Sequence, residues 1–285
     1  MKPLFQQITV LGAGLIGGSI LLDSRKTGVA KKLVAWCRSK ETLQRVKTAA
    51  IADTVTTDIL AAVRGSDFVV FSTPIEVMGD LAKKIVTEID PRCLITDVGS
   101  VKASVEAVMA PIFSKKGRWL GSHPMAGSEQ SGLSAARADL FQNATVILTP
   151  DNQTPPETVT KLSRFWEILG GKVLTTTPEK HDYAVAQISH LPHLVAALLV
   201  DCVQAENLCF HGPGFRDATR IAAGPPALWC GILKENREAI LASLDLFLQQ
   251  AATAREALNS SDWSRLEEFL DRASRIRHSI SGNLT

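Results

Sequence analysis

Ile8-Thr-Val-Leu-Gly12-Ala-Gly14-Leu-Ile-Gly17-Gly18-Ser19 sets a G-x-G-x-x-G spacing directly between a short β-branched run and an amphipathic stretch. Gly12 permits a tight turn, Gly14 lets the backbone approach a pyrophosphate, and Gly17 permits close packing of helix on strand. Leu15 and Ile16 fall in the first helical turn, whose free N–H groups and positive dipole end favour an anion. A glycine triplet alone is a weak signal. Here it opens the chain and further strands follow, which is the context expected of a dinucleotide-binding loop.

Outward from that loop, β-branched runs alternate with amphipathic stretches, the pattern of a parallel sheet flanked by helices. Strands are predicted at Ile8–Leu11, Lys32–Trp36, Phe68–Ser72, Cys93–Thr96, Arg118–Gly121, Ala144–Leu148 and Lys172–Thr176, with helices starting near Leu15, Lys40, Ile75, Val101 and Pro156. After Thr177 the strand signal disappears. Helices are predicted over about 182–209, 225–258 and 262–279, with His211-Gly-Pro-Gly214 as the main break. The expected architecture is α/β, with a Rossmann-type dinucleotide-binding domain over 1–176 and an all-helical domain over 177–285. About 110 helical residues cannot readily bury every apolar face alone, the stripe Ile240, Leu241, Leu244, Phe247 and Leu248 among them. A homodimer through the helical domain is therefore expected, and a monomeric mass in solution would sink that expectation.

The whole chain narrows the function classes. Its 31 basic and 29 acidic residues nearly cancel, and no run of five like charges occurs, so nucleic-acid binding has no electrostatic support. Met1–Gln7 is too short and polar for a signal peptide, and no stretch resembles a membrane span of about 20 residues. A soluble, cytoplasmic protein without a membrane partner is expected. The five cysteines lack any C-x-x-C spacing, so neither a disulfide framework nor a zinc site is indicated, and no metal is expected.

The second predicted strand ends Ala35-Trp36-Cys37-Arg38-Ser39-Lys40, with no carboxylate at its tip to hold the ribose hydroxyls of NAD. Arg38 and Ser39, with Lys40 nearby, can instead pair with a 2′-phosphate, which favours NADP while leaving NAD possible; a solvated Arg38 reads the same way in sequence. Ser72-Thr73-Pro74 follows another strand where its end should face the cofactor, or is simply a strand-to-helix turn.

Three further segments are rich in polar residues among apolar ones, as where side chains converge on a ligand. They are Thr96–Lys102, Gly121–Gly132, and the pair Ser189–His193 with Gly214–Ile221 and Trp229. His123 precedes Pro124 after a predicted strand, so it should sit at the carboxyl edge of the sheet. Hydride loss from a hydroxyl-bearing carbon needs an acceptor for the O–H proton, a role that suits neutral imidazole. Ser100 is the candidate to fix its tautomer. His190 and His193 share a helix face and are either substrate ligands or satisfied core residues. Arg220 can clamp a carboxylate with two parallel hydrogen bonds, with Asp217 either orienting it or forming a surface ion pair. Glu129, Ser131 and Trp229 complete the candidate substrate set.

These segments together resemble the prephenate/arogenate dehydrogenases of tyrosine biosynthesis over essentially the whole chain. The resemblance rests on the glycine loop, Asp97-Val-Gly-Ser100-Val-Lys102, Gly121-Ser-His123-Pro-Met-Ala-Gly127, Ser189-His-Leu-Pro192 and Gly214-Phe-Arg-Asp217-Ala-Thr-Arg220-Ile. It implies that His123, assisted by Ser100, bonds the ring C4 hydroxyl, that Arg220 holds a substrate carboxylate, that Glu129 helps gate the site, and that the helical domain dimerises. The implied reaction removes hydride from C4 to the nicotinamide as the ring carboxylate leaves as carbon dioxide. Cys37 and Arg38 stand where NAD-using members carry an acidic residue. The chain closes at Thr285 after the helical domain, so any feedback by tyrosine is expected at the active site.

His193 offers a donor to a pyruvyl group, which favours prephenate over arogenate; a dual-specificity cyclohexadienyl dehydrogenase is the alternative. An unchanged preference in His193→Ala would defeat that argument. A hydroxyacid dehydrogenase explains the glycine loop but not His123 and Arg220 together, and an NADP-binding sensor would need no proton acceptor.

Overall fold

The computed structural model describes residues 2–115 and 117–282. The chain begins with β1 (Phe5–Leu11), α1 (Leu15–Thr27), β2 (Ala30–Trp36), α2 (Lys40–Ala49), β3 (Thr54–Thr56), α3 (Ile59–Val63), β4 (Phe68–Phe71), α4 (Ile75–Ile85), β5 (Leu94–Asp97) and α5 (Ala103–Phe113). It continues with β6 (Arg118–Trp119), β7 (Gly121–Pro124), β8 (Thr145–Thr149), α6 (Pro156–Ile168) and β9 (Lys172–Thr175). Strands β1 to β6 form a parallel sheet in the order β3-β2-β1-β4-β5-β6. A second sheet pairs β7 antiparallel and β9 parallel with β8.

The apolar runs of β1 and β4 are nearly continuous because helices cover both faces of a parallel sheet. One core gathers Phe5, Ile8, Phe68, Phe165 and Trp166 on one side, and the other gathers Leu11, Val69, Phe71, Met109 and Phe113 on the opposite side. Strand order reverses between β1 and β4, and ligands of open α/β sheets bind in the crevice at such a point. The expected α/β architecture is thus present.

Local departures have local causes. The single strand expected over Arg118–Gly121 divides at Leu120, where the chain leaves the first sheet for the second. His123 therefore lies inside a strand, opposite Ile147, rather than after one. The pair β3 and α3 escaped the reading because their runs are too short to show a period.

Beyond Thr177 come α7 (Pro178–Val185), a π-helical turn over Ala186–His190, α8 (Leu191–Asp201), α9 (Pro213–Thr219), α10 (Pro226–Glu235), α11 (Arg237–Asn259) and α12 (Trp263–Gly282). The helix expected over 182–209 starts earlier, because Thr177 caps α7 by accepting from Lys180 N, and it ends at Asp201. A 3-10 turn, Ala205–Phe210, follows it. The expected break at His211–Gly214 in fact opens α9, with Pro213 in its first turn. The helix expected over 225–258 is interrupted at Asn236. Pro178–Asp201 makes one run of 24 residues, long and apolar enough by length and composition to cross a membrane. This corrects the expectation that no such stretch exists: short segments that read separately join through the π turn. The same run buries His181, Asp182, His190 and His193.

The chain divides into two compact units, Met1–Arg237 and Glu238–Thr285. The first holds both sheets and the helices through α10. In the second, Gln250, Ala254, Ala257, Leu266, Phe269 and Arg272 line a shared groove between α11 and α12.

Candidate functional site

The loop after β1 meets the loop after β4. Gly12 has φ +100°, and a Cβ there would lie 2.5 Å from the carbonyl oxygen of Ser72. At Gly17 a Cβ would lie 2.0 Å from the carbonyl oxygen of Gly12, so α1 abuts the turn only because no side chain intervenes. Gly14 is different: open space surrounds its Cβ position. It stands at the N-terminus of α1, where no side chain caps the free N–H groups. This is a cradle for a pyrophosphate, with unsatisfied donors aimed at it. Thr73 Oγ1, buried without a partner, and the half-buried Ser72 supply further polar groups beside it. The residues present fit a dinucleotide.

At the tip of β2, Cys37 is buried, whereas Arg38 and Lys40 project into solvent. Ser39 caps α2, its Oγ accepting from Thr42 N at 3.2 Å. No carboxylate occupies the strand tip; Asp58, at the start of α3, is engaged in capping Leu60 N and Ala61 N.

The carboxyl edge of β5 carries a buried polar assembly. Lys102 Nζ pairs with Asp97 Oδ2 and donates to the Ser122 carbonyl at 3.0 Å. Asp97 also accepts from Gly99 N at 2.7 Å and Ser122 N at 3.3 Å. Ser122 Oγ returns a bond to the Asp97 carbonyl at 2.6 Å. These bonds tie β5 to β7 and so position His123.

His123 retains 8% exposure. Its Nδ1 lies 2.8 Å from His181 Nε2, and His181 Nδ1 lies 2.8 Å from Asp182 Oδ1. Asp182 in turn accepts from the backbone N–H groups of Lys102 and Ala103 at 2.7 and 2.9 Å. Burial first, and then the facing His181, Lys102 and His190, hold His123 well below the ordinary histidine value, so its ring is neutral near pH 7. Sequence reading missed His181 and Asp182. The orienting partner of His123 is His181 rather than Ser100, which lies half-exposed before α5 and makes no side-chain hydrogen bond among the described residues.

His190, which closes the π-helical turn, and His193, in the first turn of α8, diverge in role. His190 Nδ1 lies 3.0 Å from Asn236 Nδ2, while its Nε2 is buried without a partner among the described residues. Burial pushes its pKa down to about 4. His193 stacks on Trp229, ring centroids 3.5 Å apart, with its Nδ1 also unpartnered. Burial lowers its pKa as well. Buried unpaired nitrogens on one helix face are what a polar ligand would satisfy.

Arg220 donates from Nη1 to Glu129 Oε2 at 2.7 Å. Glu129, not Asp217, is therefore its partner, because the carboxylate three residues earlier on α9 is exposed and unpaired in the described structure. Ser131 is exposed in the same loop as Glu129. Among the described residues no three histidine, cysteine or acidic side chains are placed to hold a metal ion.

The chain is similar to known proteins over most of its length. A family model described as the nucleotide-binding domain of prephenate dehydrogenase matches residues 20–175, and one described as the prephenate dehydrogenase dimerization domain matches 177–272. The chain is 34% identical to a cyclohexadienyl dehydrogenase of Zymomonas mobilis subsp. mobilis, over 96% of this chain and 95% of that protein. Among solved structures it is similar to prephenate dehydrogenase from A. aeolicus in complex with hydroxyphenyl propionate and NAD+. The TM-score is 0.90 and the identity 32%, over 96% of this chain and 98% of the other. Synechocystis arogenate dehydrogenase gives a TM-score of 0.82 at 29% identity, over 96% and 99% of the two chains.

Proposed function

The chain belongs to the prephenate dehydrogenase family, and from that premise we propose that it oxidatively decarboxylates prephenate with NADP as the hydride acceptor. Prephenate or cyclohexadienyl dehydrogenase activity is supported by the relatives; the cofactor and the preferred substrate are our reading. The observation that carries the reaction is His123, a neutral imidazole at the sheet edge whose Nδ1 is held by a second histidine. Among the described residues its Nε2 has no partner, and unlike His190 Nε2 and His193 Nδ1 it is not fully buried.

In this reading His123 Nε2 takes the proton of the C4 hydroxyl, and Ser100 helps hold that hydroxyl. Arg220 exchanges Glu129 for a substrate carboxylate, so substrate and Glu129 compete for one guanidinium. His190, His193 and Trp229 line the ring and side chain, while Asp217 and Ser131 lie at the rim. Bound NADP supplies the nicotinamide ring that receives the hydride. Orientation and proton acceptance are the protein's share, because forming an aromatic ring already drives the reaction. Arg220→Ala should raise KM about 10–10²-fold, the worth of a charge-assisted hydrogen bond pair, with a smaller change in kcat. An unchanged KM would place the carboxylate elsewhere.

The NADP preference is supported by Arg38 and Lys40 free at the β2 tip with no competing carboxylate; Ser39, engaged as a helix cap, contributes its backbone rather than its hydroxyl. Gly12, Gly14, Leu15, Ile16 and Gly17 hold the pyrophosphate, and Ser72, Thr73 and Pro74 form the facing wall. Reduced-cofactor absorbance, crossing prephenate or arogenate with NAD or NADP, tests the whole reading. In the same grid Arg38→Ala should lose about 10-fold or more in kcat/KM with NADP and little with NAD. Silence in every combination from folded protein would return the hydroxyacid dehydrogenase and sensor readings. Arogenate as the better substrate would shift the side-chain contact away from the pyruvyl group.

A homodimer is supported by the matched dimerization domain and by large apolar side chains left exposed in the single chain, Phe210 at 82% and Trp263 at 64%. Light scattering of the intact chain checks the mass.

A further inference from the structure

His181 and Asp182 stand in the first turns of α7, both buried, and they lie outside every motif that pointed to the site. Asp182 accepts two backbone N–H groups at the start of α5, so its carboxylate is fixed as an acceptor. A ring nitrogen 2.8 Å from that carboxylate must donate to it, which places a proton on His181 Nδ1. In the single-proton form of His181 the lone pair is then on Nε2. At 2.8 Å from His123 Nδ1, that lone pair requires a proton on His123 Nδ1 and leaves Nε2 of His123 as the free base.

We propose that His181 and Asp182 are positioning residues that set the tautomer and ring orientation of His123, so that its Nε2 is the proton acceptor in the dehydrogenation proposed above, on which this inference rests. The substrate hydroxyl proton passes to His123 Nε2 and the Nδ1 proton stays in place. The resulting positive charge faces a hydrogen-bonded path ending on the Asp182 carboxylate. No proton needs to travel along that path; its task is to hold one tautomer and to offset the charge as it forms. Without a partner at Nδ1, a histidine side chain favours the opposite tautomer, which would present an N–H to the substrate hydroxyl where a lone pair is needed.

Imidazole 15N spectra of ligand-free protein, with the His123 signal assigned by its loss in His123→Asn, read the tautomer directly. The expected result is His123 protonated at Nδ1 in the wild-type chain. His181→Phe should convert it to the Nε2–H form and lower kcat about 10²–10⁴-fold, with KM and NADP affinity held within about 2-fold, as the loss of a correctly oriented base does. His181→Gln, whose amide oxygen can accept from Nδ1, should keep the Nδ1–H form and recover most of that loss. A wild-type His123 protonated at Nε2, or equal losses in both variants with no change of tautomer, would overturn the proposal. If His181→Phe does not fold, the wild-type spectrum and His181→Gln decide alone. Wild-type protein with the Nδ1–H tautomer but no turnover of prephenate or arogenate would support the positioning and defeat the proposed reaction. Turnover with the Nε2–H tautomer would do the reverse.

Discussion

His123→Asn is expected to lower kcat by about 10²–10⁴-fold, the contribution of one positioned general base, while NADP binding measured by fluorescence titration stays unchanged. Asparagine nearly fills the space but cannot take a proton, and the glycine loop proposed to hold the cofactor lies at a different strand end. The pH profile adds an independent check with a definite sign. The proposed reaction needs neutral His123, whose pKa is held below the ordinary 6.5 by burial and by His181, Lys102 and His190. Activity should therefore persist as pH falls through 6.5 and decline only further into acid. An acid limb centred at 6.5 or above would mean that another group limits the reaction. Stability follows the same direction. Buried neutral His123 and His190 take up protons less readily folded than unfolded. Their contribution is full above 6.5 and is lost as pH falls below it, for His190 toward about 4.

The dinucleotide fold was legible because its signal is local. The glycine loop, the β-branched runs and the turns each state their own conformation, and strand order follows from the alternation. What remained hidden was non-local. The change of sheet at Leu120 leaves no period in the sequence, since both strands alternate alike and only the pairing partner differs. His181 and Asp182 were missed because they resemble an ordinary capped helix start, Thr177-Pro-Glu-Lys-His-Asp. Their meaning comes from residues 58 positions away in one case and 80 in the other. Arg220 illustrates the converse: the residue was visible, but its partner Glu129 lies 91 positions distant, so the nearer Asp217 drew attention. Asp97–Lys102 was recognised as polar convergence at a strand end. The structure shows its side chains facing each other inside the protein rather than facing a ligand.

That inward pair leads to the largest stability effect expected. Lys102 is 1% exposed and Asp97 fully buried. Lys102→Met keeps the length of the stem and removes the charge. It leaves the Asp97 carboxylate without its cation and the Ser122 carbonyl without a donor. Removing one member of a buried pair costs about 3–5 kcal/mol, far more than an exposed pair contributes, because the remaining charge can neither hydrate nor find a substitute partner. Urea unfolding at fixed protomer concentration should show this as a lower midpoint with an unchanged slope. Asp97→Asn in the Lys102→Met background should recover part of the loss, since it removes the uncompensated buried charge while the one amide oxygen still accepts from either Gly99 N or Ser122 N. A loss below about 1 kcal/mol would show the pair behaving like a hydrated surface contact. It would also weaken the link from Asp97 through Ser122 to the strand that carries His123. If the loss is as large as expected, the same two charges that hold β5 against β7 also fix the height of the His123 imidazole.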